Sequence, residues 1–336
     1  MRYVGIDFHK KSITLCVVNQ ERRVLARKTL ACREPDKIRA FFAQLGSFQA
    51  VVEATASYEW LWQLLEPLAD RLVLAHPKKL RIIAESTCKS DKLDAQVLAQ
   101  FLALDMIPEA YRPTRRQRQH RVLVRQRVWL RRRTTGVKNK IRHVLANYNA
   151  DRKDLFTEEG LASVAALPLL ACDRCVLEQL LASWRHYEQQ RAALDKELRA
   201  FAKKAPAAEK EARAVLESIP DVGPVTVDVV ISELGDVRRF RSAKCVAAYA
   251  GLAPKRRESA GRAKELGITK EGSALLRWAL VEAAWRLVRH SRRWATIFEG
   301  LSRRRGKKKA IVAVARRLLG VMVALLRTGQ RYRAAA

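Results

Sequence analysis

The sequence is short of acid. Its 336 residues set only 34 Asp and Glu against 66 Lys and Arg, a formal net charge of +32 at pH 7. Such a surplus calls for a polyanionic partner, because each phosphate neutralised by Lys or Arg releases condensed counterions. Nucleic acid is the leading candidate, and an anionic membrane surface is the competitor. Long apolar runs are missing too: no stretch approaches the roughly 20 apolar residues of a spanning helix, so no membrane partner is expected. The opening MRYVGID lacks the basic, apolar and small-residue succession of a secretory signal, which gives a cytoplasmic expectation. Cysteine is sparse. Of 6 cysteines only Cys172 and Cys175, in CDRC, have ligand-like spacing, and no second CxxC or HxxxH accompanies them. They read as reduced, buried thiols rather than as a zinc site.

What is present changes character along the chain. RYVGID, SITLCVV and RRVLARK are short β-rich runs, the second with Ile13, Leu15 and Val17 on one face. A helix over 35–45, the buried-strand run AVVEA, a helix over 58–69 and the strand RLVLAH follow. Then comes SDKLDAQVLAQFLALD, with Ser90 as N-cap and Leu93, Val97, Leu98, Phe101 and Leu102 at helical spacing. This order makes an α/β domain with a mixed sheet over 1–110.

A basic helical and coiled-coil linker region is expected over 111–205. In its first half Val137, Ile141 and Leu145 form an apolar stripe and leave Arg131, Arg132, Arg133, Lys138, Lys140 and Arg142 exposed. A helix charged only for solubility interleaves both signs, and acids are nearly absent here. The run, with Arg115, Arg116, Arg118 and Arg125, therefore reads as a nucleic-acid-binding surface. Leu177, Leu180, Trp184, Tyr187, Arg191, Leu194, Leu198 and Phe201 form a heptad seam with one polar interruption, suited to a dimerising stalk or to packing within the chain. Residues 206–336 read as a mainly α domain punctuated by glycines. Trp278, Trp285 and Trp294 fall on its late helices and read as core.

Within so basic a chain, KSDKLDA concentrates two carboxylates. Asp91 and Asp94 lie three apart on one helical face and repel unless something positive sits between them. A divalent metal would serve, and so would the flanking Lys89 and Lys92. Asp7 closes a first strand and Glu53 a later buried one, where a carboxylate is costly to desolvate without a partner. Together the four acids suit two Mg²⁺ ions, roughly 4 Å apart, of the kind that assist phosphoryl transfer. His9, beside Asp7, reads as a solvated or capping residue.

The order YVGIDFHKKSITLCVV, VVEATASYEWLWQLL and HPKKLRIIAESTCKSDKLDAQVLAQFL resembles the insertion-sequence transposases with a RuvC-like, RNase H-fold N-terminal domain bearing a DEDD tetrad. The segment from LESIPDVGPVT to LLRWALVEAAW is similar to that family's transposase domain, and GKKKAIVAVARRLLGVMVALL to its terminal helices. The resemblance implies Asp7, Glu53, Asp91 and Asp94 as the tetrad. It also implies Ser259 in PKRRESAGR as a nucleophile, with Lys255, Arg256, Arg257 and Arg262 as its basic surroundings. Donor and target DNA, a structured noncoding guide RNA, a homodimer or homotetramer, and action at the nucleoid are further implications. The family's own pattern has glycine where this chain has Asp221, in a turn resembling a helix-hairpin-helix. A junction-resolving metal nuclease using water, related in its tetrad, and a noncatalytic basic scaffold are the competing readings.

Overall fold

A computed structural model describes residues 1–55, 57–83, 91–259 and 262–333, with the side chains of 81–83, 91–93, 256–259 and 262–265 outside the description. It divides into two compact units, Met1–Arg112 and Pro113–Ala336.

The first unit is built on β1 (Arg2–Phe8), β2 (Ser12–Val18), β3 (Val24–Ala31), α1 (Pro35–Ala43), β4 (Phe48–Glu53), α2 (Glu59–Leu65), β5 (Arg71–Ala75), α3 (Pro77–Ile83) and α4 (Asp91–Ala103). Five strands form one mixed sheet in the order β3-β2-β1-β4-β5. Strands β1 to β3 are antiparallel neighbours, whereas β4 and β5 run parallel to β1. Ile13, Leu15 and Val17 join Val4, Ile6, Ala50 and Val52 in one core layer with Ile38 and Phe42 of α1 and Leu61 and Leu65 of α2. On the other face Cys16 and Val18 pack with Ala95 and Ala99, and Val51 and Val73 with Leu98 and Leu102. The expected mixed α/β sheet is thus present, with helices on both faces. Helix α3 was not legible as a separate element, and Ser90, expected as the cap of α4, lies outside the described residues.

Seating α4 depends on Gly5. A Cβ there would stand 1.9 Å from the Ala95 carbonyl oxygen and 2.5 Å from the Ala99 amide nitrogen, so helix and strand meet backbone to backbone. The apolar spacing read from sequence pointed to large residues on this helix. The contact with β1 is instead made by Ala95 and Ala99, both fully buried, while Val97 and Phe101 are only partly covered.

The second unit comprises α5 (Arg115–Ala146), α6 (Glu158–Ala165), α7 (Ala171–Lys203), α8 (Ala207–Glu217), α9 (Pro224–Leu234), a 3-10 turn at Val237–Arg239, α10 (Ala243–Tyr249), β6 (Pro254–Ser259), β7 (Arg262–Ile268), α11 (Ala274–His290), α12 (Arg292–Arg305) and α13 (Lys307–Thr328). It is mainly helical, as expected, but β6 and β7 pair into an antiparallel hairpin that the sequence did not announce. Thr114 caps α5 by accepting from the Gln117 amide at 3.2 Å. Helices α5 and α7 run antiparallel: Arg127 meets Asp195, Lys138 lies over Trp184, and Tyr148 donates to Asp173. The heptad seam of α7 is occupied within this pair. Leu177, Leu180 and Trp184 pack with Ile141 and Leu145, and Trp129 meets Tyr187 edge to face. Cys172 and Cys175 are exposed on α7, contrary to the buried thiols expected.

Candidate active site

Ile6 of β1 and Val52 of β4 are register partners in a parallel pair. Asp7 and Glu53 each follow by one residue, so the two acids lie side by side at the ends of adjacent strands, Glu53 closing β4 and Asp7 one residue before the end of β1, where the sequence reading places it last. Because successive side chains alternate across a strand, both point away from the layer holding Ile6 and Val52 and toward the face covered by α4. There Asp94 immediately precedes Ala95, the residue seated on Gly5.

The electrostatics register this meeting. Burial pushes the Glu53 carboxyl above its ordinary value, and the charges of Asp7 and Asp94 push it further. Among the described residues no hydrogen bond or ion pair holds the Glu53 carboxylate, while its backbone carbonyl accepts from the Thr55 amide at 2.8 Å. Asp7, largely buried, accepts from His9 Nε2 at 3.0 Å. His9, read as solvated or capping, is half exposed and serves to hold this carboxylate. Of Asp91 only the backbone, as first residue of α4, is described. Hard oxygen donors whose charges raise one another's cost of ionisation suit a divalent cation. Among the described residues, however, no three His, Cys, Asp or Glu side chains are gathered into a closed ligand group.

The basic residues divide into two sets. Arg116 grips Glu209 of α8 and the Phe201 carbonyl, and Arg125 pairs with the buried Glu233 of α9 at 3.0 Å. Arg118 donates to the Pro113 carbonyl, Lys138 lies over Phe156 at 4.4 Å, and Arg142 pairs with Asp151. By contrast Arg115, Arg131, Arg132, Arg133, Lys140 and Lys255 are exposed, Arg131 and Arg133 lying over Trp278 and Trp129. Ser259 ends β6 opposite Arg262. Its side chain, with those of Arg256, Arg257 and Arg262, lies outside the described residues.

The sequence reading missed Gly5, for which a single glycine in a strand pattern was the only available sign. It also missed the acids that neutralise α5, because they come from α7, α8, α9 and the loop after α5 rather than from i,i+4 positions. Asp221 turns out to hold φ +60°, the left-handed region that glycine favours and Asp tolerates, and its carboxylate accepts from His290 Nδ1 at 2.7 Å.

Comparison with known proteins bears on the family. Residues 4–150 match a family model described as Transposase, of the DEDD IS110 type, and residues 213–299 match one described as Transposase IS116/IS110/IS902 family. The chain is 26% identical to the transposase for insertion sequence element IS1111A of Coxiella burnetii, over 100% of this chain and 92% of that protein. It is 28% identical to a putative transposase of Sinorhizobium fredii, over 99% of this chain and 86% of the relative. A pilin gene-inverting protein of Moraxella bovis is 23% identical over 98% of this chain and 97% of its own length. No helix among the described residues is long and apolar enough to cross a membrane. Two family models in sequence order, with relatives matched almost end to end, place the chain among the IS110-type DEDD transposases: it is a DNA transposase with the divalent-metal requirement of that family.

Proposed function

We propose that the first unit is an RNase H-like, RuvC-like catalytic domain in which Asp7, Glu53, Asp91 and Asp94 hold Mg²⁺, and that Ser259 is the nucleophile that cuts and rejoins DNA. The observation that carries the reading is the side-by-side placement of Asp7 and Glu53 near the ends of β1 and β4, with Asp94 near enough to raise the Glu53 pKa. When bound, Mg²⁺ supplies Lewis-acid stabilisation of charge at a scissile phosphate. The chain's own residues do the rest. His9 fixes Asp7, and Gly5 fixes the distance of α4 and hence of Asp94 from the strand ends. The Ser259 oxygen displaces the bridging oxygen of the phosphodiester, forming a phosphoserine linkage and freeing one DNA end. Attack by a DNA hydroxyl on that linkage restores the serine, so strands rejoin without an external energy source.

The exposed cations Arg115, Arg131, Arg132, Arg133 and Lys140 of α5, with Lys255 and the arginines around Ser259, bind DNA and a structured noncoding guide RNA that pairs with donor and target. The net charge of +32 supports a large polyanion, and the pilin gene-inverting relative supports recombination as the outcome. The test is a denaturing gel of end-labelled supercoiled-derived substrate incubated with protein, guide RNA and Mg²⁺. A protein–DNA adduct is expected, absent in Ser259→Ala and in Asp94→Asn. Nicked ends without an adduct would establish the water-using nuclease instead, and an adduct that persists in Ser259→Ala would remove that serine from the chemistry.

A further inference from the structure

Helices α5, α7, α9 and α11 border a half-open cavity of about 400 Å³ within the second unit, lined by Arg127, Arg131, Arg191, Trp278, Arg286 and the first turn of α9. Its volume falls within the roughly 300–1,000 Å³ of sites that take small ligands. The arginines are not equivalent. Arg127 is held by Asp195 and Arg191 by Glu188, both from α7. Arg131 and Arg286 have no carboxylate partner among the described residues, although Glu282 also lines the cavity. The Arg131 guanidinium lies over the Trp278 ring, 5.3 Å from its centroid. Trp278 packs against the helical core, as expected, and also lines the cavity, whereas Trp294 is buried in the core and Trp285 packs against Phe298.

We propose that this cavity holds one unpaired nucleotide of the nucleic acid on which the protein acts, its base against the Trp278–Arg131 face and its phosphate on Arg286. The chemistry selects this occupant. A carboxylate or inorganic anion uses the guanidiniums and leaves the indole idle, whereas a nucleotide carries a π-face and a phosphate together. A paired base is stacked on both faces by its neighbours, so a duplex reaches the indole only by extruding a nucleotide at a cost in stacking and pairing. The site thus discriminates single-stranded, gapped or looped nucleic acid from closed duplex. It rests on the DNA-handling role of the family and is independent of the carboxylates and of Ser259.

The experiment is fluorescence anisotropy at fixed salt with the full chain and labelled oligo-dT, oligo-rU and a blunt DNA duplex. Trp278→Leu is expected to weaken single-strand binding about tenfold and to leave duplex binding within about twofold, with Trp278→Phe restoring most of the loss. Arg286→Gln is expected to lower the salt slope on single strands by about 0.7. Preference for oligo-dT or for oligo-rU identifies the DNA or the RNA as the source. Equal losses on single strand and duplex, or no recovery with Phe, would overturn the pocket. Should Trp278→Leu fail to fold, iodouracil photocrosslinking of the wild-type chain decides: an adduct on Trp278 supports the site and adducts only elsewhere exclude it. A wild-type protein that binds none of the three probes would sink the nucleic-acid reading itself rather than the pocket alone.

Discussion

Gly5 of β1 and Ala95 of α4 meet so closely that the missing Cβ of the glycine would lie 1.9 Å from the alanine carbonyl oxygen. Neither atom can yield, since the oxygen belongs to helix backbone and the Cβ would be fixed in place by the backbone of the strand. Gly5→Ala must therefore lift α4 from the sheet and carry Asp94 away from Asp7 and Glu53. Overpacking of this kind costs about 1–3 kcal/mol. A lower melting temperature is expected together with loss of strand cleavage. A Gly5→Ala protein that melts and cleaves like wild type would show that α4 is not positioned by this contact.

Glu53 offers a test by pH. Its folded-state pKa is raised by burial and then by Asp7 and Asp94, so the folded protein holds the proton more tightly than the unfolded chain. The sign follows. Stability from this group is fully present below the ordinary glutamate pKa and is lost as pH rises through the raised folded value. In metal-free buffer at neutral pH, Glu53→Gln should melt higher than wild type, and the difference should vanish as pH falls toward 4. Titrating Mg²⁺ should reverse the ranking, stabilising wild type more than the variant while the variant loses cleavage. Parallel melting curves at all pH values would mean that Glu53 does not share the field of the other two acids.

How much of this was legible beforehand depended on the range of each interaction. Ile13, Leu15 and Val17 announced their shared face because strand alternation is local, and Pro35 announced the start of α1 for the same reason. Asp7 and Glu53 could be picked out as acids ending apolar strands, since burial of an unpaired carboxylate is costly wherever it occurs. Gly5 could not, because its role is set by Ala95, ninety positions later in the chain. The bare look of α5 misled for a related reason. Glu209, Asp195 and Glu233 reach it from other helices, and no i,i+4 rule sees them.

Asp228 joins two of those helices to α5. It accepts from His120 Nε2 at 2.9 Å and from Arg213 at 2.8 Å, with all three side chains largely buried. Removing Asp228 leaves the buried His120 without this carboxylate and Arg213 with Glu209 as its remaining acid, a loss of about 3 kcal/mol. Asp228→Ala should therefore unfold at markedly lower urea, whereas nucleic-acid affinity measured on the remaining folded protein should change little. A change below about 1 kcal/mol would place this network among weak surface pairs.

The turn between α8 and α9 carries Asp221 at φ +60°, paired with His290. Asp221→Gly removes the left-handed strain and the ion pair together. These oppose each other, so stability is expected to stay within about 1 kcal/mol. The loss of a carboxylate beside the first turn of α9 should tighten binding to DNA at low salt, with the gain shrinking as salt screens it. Unchanged affinity at every salt concentration would indicate that this turn serves packing alone.

The division among the cations of α5 yields the sharpest contrast. Arg132 and Lys140 are exposed, while Arg116 is tied to Glu209 and to the Phe201 carbonyl. Phosphate contacts contribute to the salt dependence of binding, with a slope of about 0.9 per contact on duplex DNA. Arg132→Gln combined with Lys140→Gln should lower that slope by nearly two and leave the melting temperature unchanged. Arg116→Gln should do the reverse, because its guanidinium neutralises an acid of the fold, holding the Glu209 carboxyl below its ordinary value against the opposing effect of burial. If the double variant lowers stability while Arg116→Gln alone lowers the slope, then the arginines buried in the fold, and not those left in solvent, meet the phosphates.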